Sequence, residues 1–326
     1  MQDLLGSLLF MLANSPAAWI ALMLIVGLLV GSFLNVVIHR LPIMMEREWQ
    51  SQAEEILGKQ ADAGAGAGAG ADASAGAEAP VAGDHPPVTP APYNLVVPRS
   101  ACPKCGAMIT AAQNIPIISY LLLGGACAKC GERISIRYPL IELCTGVLSA
   151  LVAWKFGFTW YCGAALVLTW ALVALSAIDI DHQLLPDDIT LPLLWIGLLL
   201  SLAPTNPSFG LPVDSHASII GAVAGYLSLW SVYKLFKWIT GKEGMGYGDF
   251  KLFAALGAWL GWQMLLVILL ISAFSGAVVG VALIALRGRD RNIPIPFGPY
   301  LAVAGWIALM WGDRLMSSYL RANGLE

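Results

Sequence analysis

Residues 17–40 read AAWIALMLIVGLLVGSFLNVVIHR: an uncharged run from Ala17 to Ile38, closed at once by His39 and Arg40. The hydrocarbon core of a bilayer is crossed by about 20 helical residues, so this run is long enough to span. Basic residues stay on the cytoplasmic side, which puts Arg40 inside and the N-terminus outside. Met1 to Asn14 contain Asp3 but no Lys or Arg, and a secretory leader needs a basic start. The run is therefore expected to stay as a first transmembrane helix.

Working outward, seven more apolar segments read as spans, at about 139–156, 160–178, 189–203, 217–239, 250–262, 264–286 and 297–312. Segments 189–203 and 250–262 are short for a span and are expected to tilt, pair or re-enter. Trp19, Tyr138, Trp160, Tyr161, Trp238 and Tyr300 stand near the proposed ends, as interfacial anchors do. With eight spans and the N-terminus outside, the inner segments are 39–138, 179–188, 240–249 and 287–296. They and their helix ends hold all the Lys and Arg except Lys155, Arg314 and Arg321. Reversing the topology would put nearly all the positive charge on the wrong side.

The composition agrees. The chain is 58% hydrophobic and 12% charged, against about 45–50% and about 25% for a soluble domain. A net charge of −3 offers nothing to nucleic acid. The fold expected is an all-α polytopic membrane protein. Residues 1–38 form the first helix, 39–138 a small cytoplasmic domain between the first and second helices, and 139–326 the membrane core. Within 39–138, residues 61–92 are an Ala/Gly/Pro-rich linker that cannot bury a core. Met44 to Leu57 reads as a short amphipathic surface helix.

The module at 99–133 carries Cys102, Cys105, Cys127 and Cys130, in the strings Cys-Pro-Lys-Cys-Gly and Cys-Ala-Lys-Cys-Gly. Two Cys-x-x-Cys pairs are a tetrathiolate zinc pattern. Each pair sets two thiolates on one tight turn, Gly106 and Gly131 relieve the turns, and two turns close a tetrahedron. Four thiolates leave no position for water, so such a zinc ion is structural. The alternatives are two disulfides or a redox pair, and a reducing cytoplasm disfavours disulfides. Cys144 and Cys162 lie in apolar segments and read as small hydrophobes.

Acids are scarce in the spans and concentrate in two inner loops. One runs Asp179-Ile-Asp181-His-Gln-Leu-Leu-Pro-Asp187-Asp188, the other Gly244-Met-Gly246-Tyr-Gly248-Asp249. In each, an Asp abuts an apolar segment, and both fall on one membrane face. A carboxylate at a membrane edge is partly desolvated, which favours its neutral form. Two carboxylates close enough to share a proton split their titration. That is the requirement of aspartic proteolysis: one takes a proton from water while the other polarises the peptide carbonyl. The glycines at 244, 246 and 248 would let the backbone turn sharply and approach an extended substrate. The competing reading is that Asp249, Asp187 and Asp188 are helix caps. Spacing alone does not choose between Asp179 and Asp181.

Other classes fare less well. His39, His85, His182 and His216 form no His-Glu-x-x-His pattern. A transporter would place acids near mid-bilayer, often in paired halves. An assembly scaffold would use the same aspartates only as caps.

The motifs in their order resemble the type IV prepilin peptidase family, the bifunctional bacterial leader peptidase and N-methyltransferase. They are Gly31-Ser-Phe-Leu-Asn-Val-Val-Ile-His-Arg-Leu-Pro42, the two Cys pairs, Asn114-Ile-Pro116 and Arg137-Tyr-Pro139. The Asp179 loop through Asp187, Gly246-Tyr-Gly-Asp249 and Pro294-Ile-Pro-Phe-Gly-Pro-Tyr300 complete the set. The resemblance implies that Asp179 and Asp249 are the catalytic pair, with Gly246 and Gly248 as motif support. It implies cleavage after a Gly at the cytoplasmic face of the bacterial inner membrane. The substrates would be type IV prepilins and pseudopilins of type II secretion. The new N-terminus would then be methylated from S-adenosylmethionine. No strand-glycine-helix fingerprint marks a site for that donor; Glu46, Glu48, Glu142 and Glu243 are polar groups without an assigned role. The Ala-Gly stretch at 61–79 is a departure from the family pattern and reads as a lengthened tether. Oligomeric state is not legible.

Overall fold

The computed structural model describes residues 6, 10–67, 93–110, 112–203, 213–242, 244–287, 295–322 and 324. Its helices are α1 (Pro16–Ala67), α2 (Ile118–Leu122), α3 (Arg137–Phe156), α4 (Trp160–His182), α5 (Asp187–Ser201), α6 (Ser215–Thr240), α7 (Tyr247–Leu260), α8 (Trp262–Arg287) and α9 (Gly298–Ala322). Among the described residues there is no strand beyond two isolated bridges. All eight segments expected from hydropathy coincide with helices. Five are long and apolar enough to cross a membrane: Pro16–Leu57 within α1, then α3, α4, α6 and Trp262–Leu286 within α8.

α7 explains why a short helix suffices. Its 14 residues reach only about 21 Å, yet every residue from Asp249 to Leu260 except Lys251 is buried. A helix that is apolar all round belongs inside, and α5, α6, α8 and α9 pack around it. Phe250, Phe253, Leu256 and Trp259 fill the centre with Leu168 and Leu175 of α4, Ile268 of α8 and Leu301 of α9. Trp259 Nε1 donates to Leu193 O at 2.7 Å and Ser218 Oγ to Ala258 O at 2.7 Å. α6 lies almost in backbone contact with α7: a Cβ on Gly221 would meet Gly257 O at 2.2 Å, and one on Gly257 would meet Gly221 O at 2.1 Å. Small residues at a crossing are how apolar helices gain contact where lipid offers no hydrophobic drive.

Sequence and structure part company on α1. The expected helix over 17–38 is followed instead by one uninterrupted helix to Ala67. Pro42 removes a single backbone hydrogen bond without ending it. Residues 43–57 are rich in Met, Glu, Arg, Gln and Leu, and Ala continues beyond them, all strong helix formers. The expected surface helix at 44–57 and the first residues of the expected linker are thus part of α1. Linker residues 68–92, with His85, lie outside the described residues, as do residues 204–212, Glu243 and Pro294.

Candidate functional site: a carboxylate cavity and a cysteine cluster at one end of the bundle

Asp179 sits in the last turn of α4. That helix ends because Gln183 adopts a left-handed conformation (φ 52°, ψ 40°) and returns its N–H to Asp179 O at 2.9 Å. Asp249 is the third residue of α7, after a Gly246 N-cap with no side-chain cap. Both carboxyls line one cavity of about 430 Å³ with Gln183, Leu185, Met245 and Ile295–Phe297.

Their partners differ. Asp179 Oδ2 accepts from the Gly298 N–H at 3.0 Å, at the start of α9. A Cβ at 298 would stand 2.6 Å from that oxygen, so only glycine leaves the carboxyl its place. Asp249 faces the Gly246 backbone with one oxygen; its Oδ1 is buried and has no hydrogen-bond partner among the described residues. Buried polar atoms are normally satisfied, so such an atom in a cavity marks a place where something else is to bind. This departs from the cap reading of Asp249, which would leave the carboxylate spent on amides.

The neighbouring acids are committed elsewhere. Asp181 is ion-paired to Arg137, which also donates to Ala177 O at 3.3 Å. Asp187 receives Lys251 Nζ on both oxygens, at 2.7 and 2.6 Å. Of the acids in the first loop, only Asp179 lines the cavity. Asp179 and Asp181, alike in spacing, thus differ in surroundings: one lines the cavity and the other is paired to Arg137 of α3.

The glycines act differently from expectation. Gly246 has φ −79° and ψ 152°, available to any residue, and Gly248 is helical. Gly248 is needed because a Cβ there would stand 2.6 Å from Leu185 Cβ; Gly244 abuts Phe236 in the same way, at 2.8 Å. The two acid-bearing segments are pressed together, and the lack of side chains is what permits it. Gly298, Gln183, Leu185 and Met245 stood in the quoted motifs without an individual role. A Gly-Pro pair opening a helix just after Ile295-Pro-Phe was the one visible signal.

At the same end of the bundle, the four sulfurs of Cys102, Cys105, Cys127 and Cys130 lie within 4.8 Å of one another. Two matching turns build the cluster. Cys102 N–H bonds Ala107 O at 2.9 Å and Cys127 N–H bonds Glu132 O at 2.8 Å. Gly106 and Gly131 return to Cys102 O and Cys127 O, each at 2.9 Å. Those glycines have φ of 68° and 70°, the left-handed geometry the pattern demanded. The amides of Cys130 and then Lys129 hold the Cys127 thiol down at about 6, and those of Cys105 and Lys104 lower Cys102 likewise. The Cys102–Cys130 sulfurs are 3.7 Å apart. Sulfurs placed 2.3 Å from a central ion form a tetrahedron with edges of about 3.8 Å, whereas a disulfide needs about 2 Å. All four cysteines are free, and the cluster fits a metal ion. Ion pairing of Lys104 with Glu132 clasps the two turns.

Of the other named glutamates, Glu46, Glu48 and Glu142 do not line the cavity. Glu46 and Glu48 are exposed on α1. Glu142 is buried on α3, where it accepts from Ile117 N–H at 2.8 Å.

An all-helical membrane bundle with two cavity-lining aspartates at one end, beside a tetrathiol cluster, defines a class of polytopic membrane protein with an acid pair. Residues 25–156 match the family model for the bacterial peptidase A24 N-terminal domain, and residues 166–281 match that for the type IV leader peptidase family. The chain therefore belongs to the type IV leader peptidase family. It is 52% identical to the prepilin leader peptidase/N-methyltransferase of Pseudomonas aeruginosa, over 98% of this chain and 99% of that one. It is 52% identical to the protein of the same name in Aeromonas hydrophila, over 96% and 98%. The counterpart in Xanthomonas campestris pv. campestris is 46% identical over 92% and 94%. No solved structure matches the chain.

Proposed function

We propose that this protein removes the leader of type IV prepilins and type II secretion pseudopilins, with Asp179 and Asp249 as the catalytic pair, and then N-methylates the new N-terminus. The observation that carries the reading is the shared cavity, with one carboxyl held by the Gly298 amide and the other presenting an unpartnered buried oxygen. One aspartate, ionised, takes a proton from water as that water attacks the scissile carbonyl. The other, protonated, donates to the carbonyl oxygen; as the tetrahedral intermediate collapses and the C–N bond breaks, that hydroxyl returns its proton to it while the first aspartate passes the water proton to the leaving amine. Gly244–Gly248 and Ile295–Phe297 form the walls along which an extended substrate lies.

The setting is the bacterial inner membrane. All eight long helices are embedded, the N-terminus lies outside, and the cavity opens on the cytoplasmic side, where Lys and Arg concentrate. Cys102, Cys105, Cys127 and Cys130 hold a structural zinc ion, which supplies cross-linking of the module rather than chemistry. S-adenosylmethionine supplies the methyl group.

The test is leader removal from a purified prepilin, repeated with Asp179→Ala and with Asp249→Ala. Each single variant is expected to stay folded and lose cleavage. Cleavage retained by either variant, or lost in Asp181→Ala while Asp179→Ala cleaves, would sink the assignment.

A further inference from the structure

Between the two cysteine turns lies α2, five residues of which three apolar side chains stand exposed. Ile118 is 55% exposed, Leu121 70% and Leu122 82%, with Ile115 beside them at 45%. Such a patch on a small module marks a surface that is covered in use.

Its depth is set by a hydrogen bond. α3 has 20 residues, about 30 Å, which matches the hydrocarbon thickness and leaves no length to spare. Its far end is held where Trp19 Nε1 donates to Gly157 O at 2.9 Å. Glu142 stands five residues inside the near end, about 7 Å along the axis. Its Oε2 takes the Ile117 N–H at 2.8 Å, immediately before α2. The residue that opens α2 is therefore fixed at the level of the second turn of a membrane helix. Ile117 is held at φ 58°, a strained value for a β-branched residue, which persists only where the surroundings enforce it. Near the same end of α3, Leu140 and Leu143 are exposed, as is Ile136 just before the helix. The charges agree. Residues 93–138 hold five bases against a single acid, and with Lys104 paired to Glu132 and Arg137 to Asp181, Arg99, Lys129 and Arg133 remain. Basic residues around an apolar wedge suit anionic headgroups.

We infer that the α2 face, Ile118, Leu121 and Leu122, inserts into the lipid leaflet at the cavity end of the bundle, so that the cysteine module lies on the membrane rather than above it. The occupant is the bilayer itself, since Ile117, at the start of the patch, is tied to the second turn of a helix that reads as a membrane span. The inference does not depend on the proposed chemistry. It makes the Asn114-Ile-Pro-Ile117 segment a depth stop: Glu142 sets how far the module sinks.

A benzophenone photocrosslinker at Leu122 in the full chain tests this. The protein is reconstituted in vesicles of phosphatidylethanolamine and phosphatidylglycerol carrying a labelled acyl chain. Lipid labelling at Leu122 is expected to approach that at Leu140 on α3 and to exceed that at Glu54, far out on α1, by at least about fivefold. Placing the probe at Leu121 guards against a folding failure at one position. Labelling at both positions no higher than at Glu54, or crosslinks to protein instead of lipid, would overturn the inference. Glu142→Ala should lower labelling at Leu122 and leave Leu140 unchanged; unchanged labelling at Leu122 would remove Glu142 as the depth stop.

Discussion

The cysteine cluster and the carboxylate cavity sit at the same end of one bundle and are built in opposite ways. The cluster is closed: four sulfurs face one another, each pair held by its own turn, with no position left for a substrate. The cavity is open. Its two acids come from helices separated by two others in the chain, and one carboxyl oxygen is left without a partner. A site whose donors saturate each other holds a fold together. A site that keeps a polar atom buried and unsatisfied gives up stability to keep a place for a reactant.

The sharpest way to break this comparison is to neutralise the acids. Asp249→Asn should reduce leader cleavage by about three orders of magnitude or more while leaving thermal stability unchanged or raised, because a buried unsatisfied carboxylate is removed. Cleavage assays and a melting curve on the same preparation decide it; a large fall in stability would return Asp249 to a structural role. Metal removal should act the other way. Chelation, or Cys127→Ser, is expected to expose 99–133 to protease, since structural zinc sites contribute folding energy directly. At least about a tenth of the cleavage activity should survive, because four thiolates leave no catalytic position.

Gly298→Ala sharpens the cavity side. The added methyl would stand 2.6 Å from Asp179 Oδ2, and a carboxyl displaced by that contact should lose about 10- to 100-fold in kcat with little change in KM. Wild-type kcat in this variant would mean that the Gly298 amide does not orient Asp179. Asp181→Ala should matter far less. Its ion pair with Arg137 is partly exposed, and pairs of that kind are worth at most about 1 kcal/mol. Cleavage within a fewfold of wild type is expected, and a melting shift of a few degrees at most. The smallest effect belongs to deletion of residues 68–79, which should leave cleavage unchanged in the same assay; loss of activity with normal expression would assign the tether a role.

The two regions also differ in how they could be read. The four cysteines, their spacing and the glycines after them lie within single turns, so their geometry follows from local backbone and was legible at once. The helical segments were legible too, because lipid forces backbone groups to pair within a helix and apolar length then marks position. The end of α1 was not: Pro42 and the Ala-Gly stretch look like breaks, yet an established helix continues through one lost hydrogen bond and through Ala. The glycines of the Gly-x-Gly-Asp loop were legible as necessary but not as to cause, since contact with Leu185 is made across α5's approach rather than along the chain.

By itself the sequence determined that this is a helical membrane protein and that four thiols converge. Each of these depends on composition or on spacing within a few residues. Only the tertiary structure gave Asp179 and Asp181 different partners, sending Arg137 to the latter and the Gly298 amide to the former. Only it showed Asp249 with an unused oxygen, and Ile117 tied to Glu142 in the second turn of α3. Those outcomes rest on which helix lies beside which, and partners from distant parts of the chain leave no mark on the local pattern.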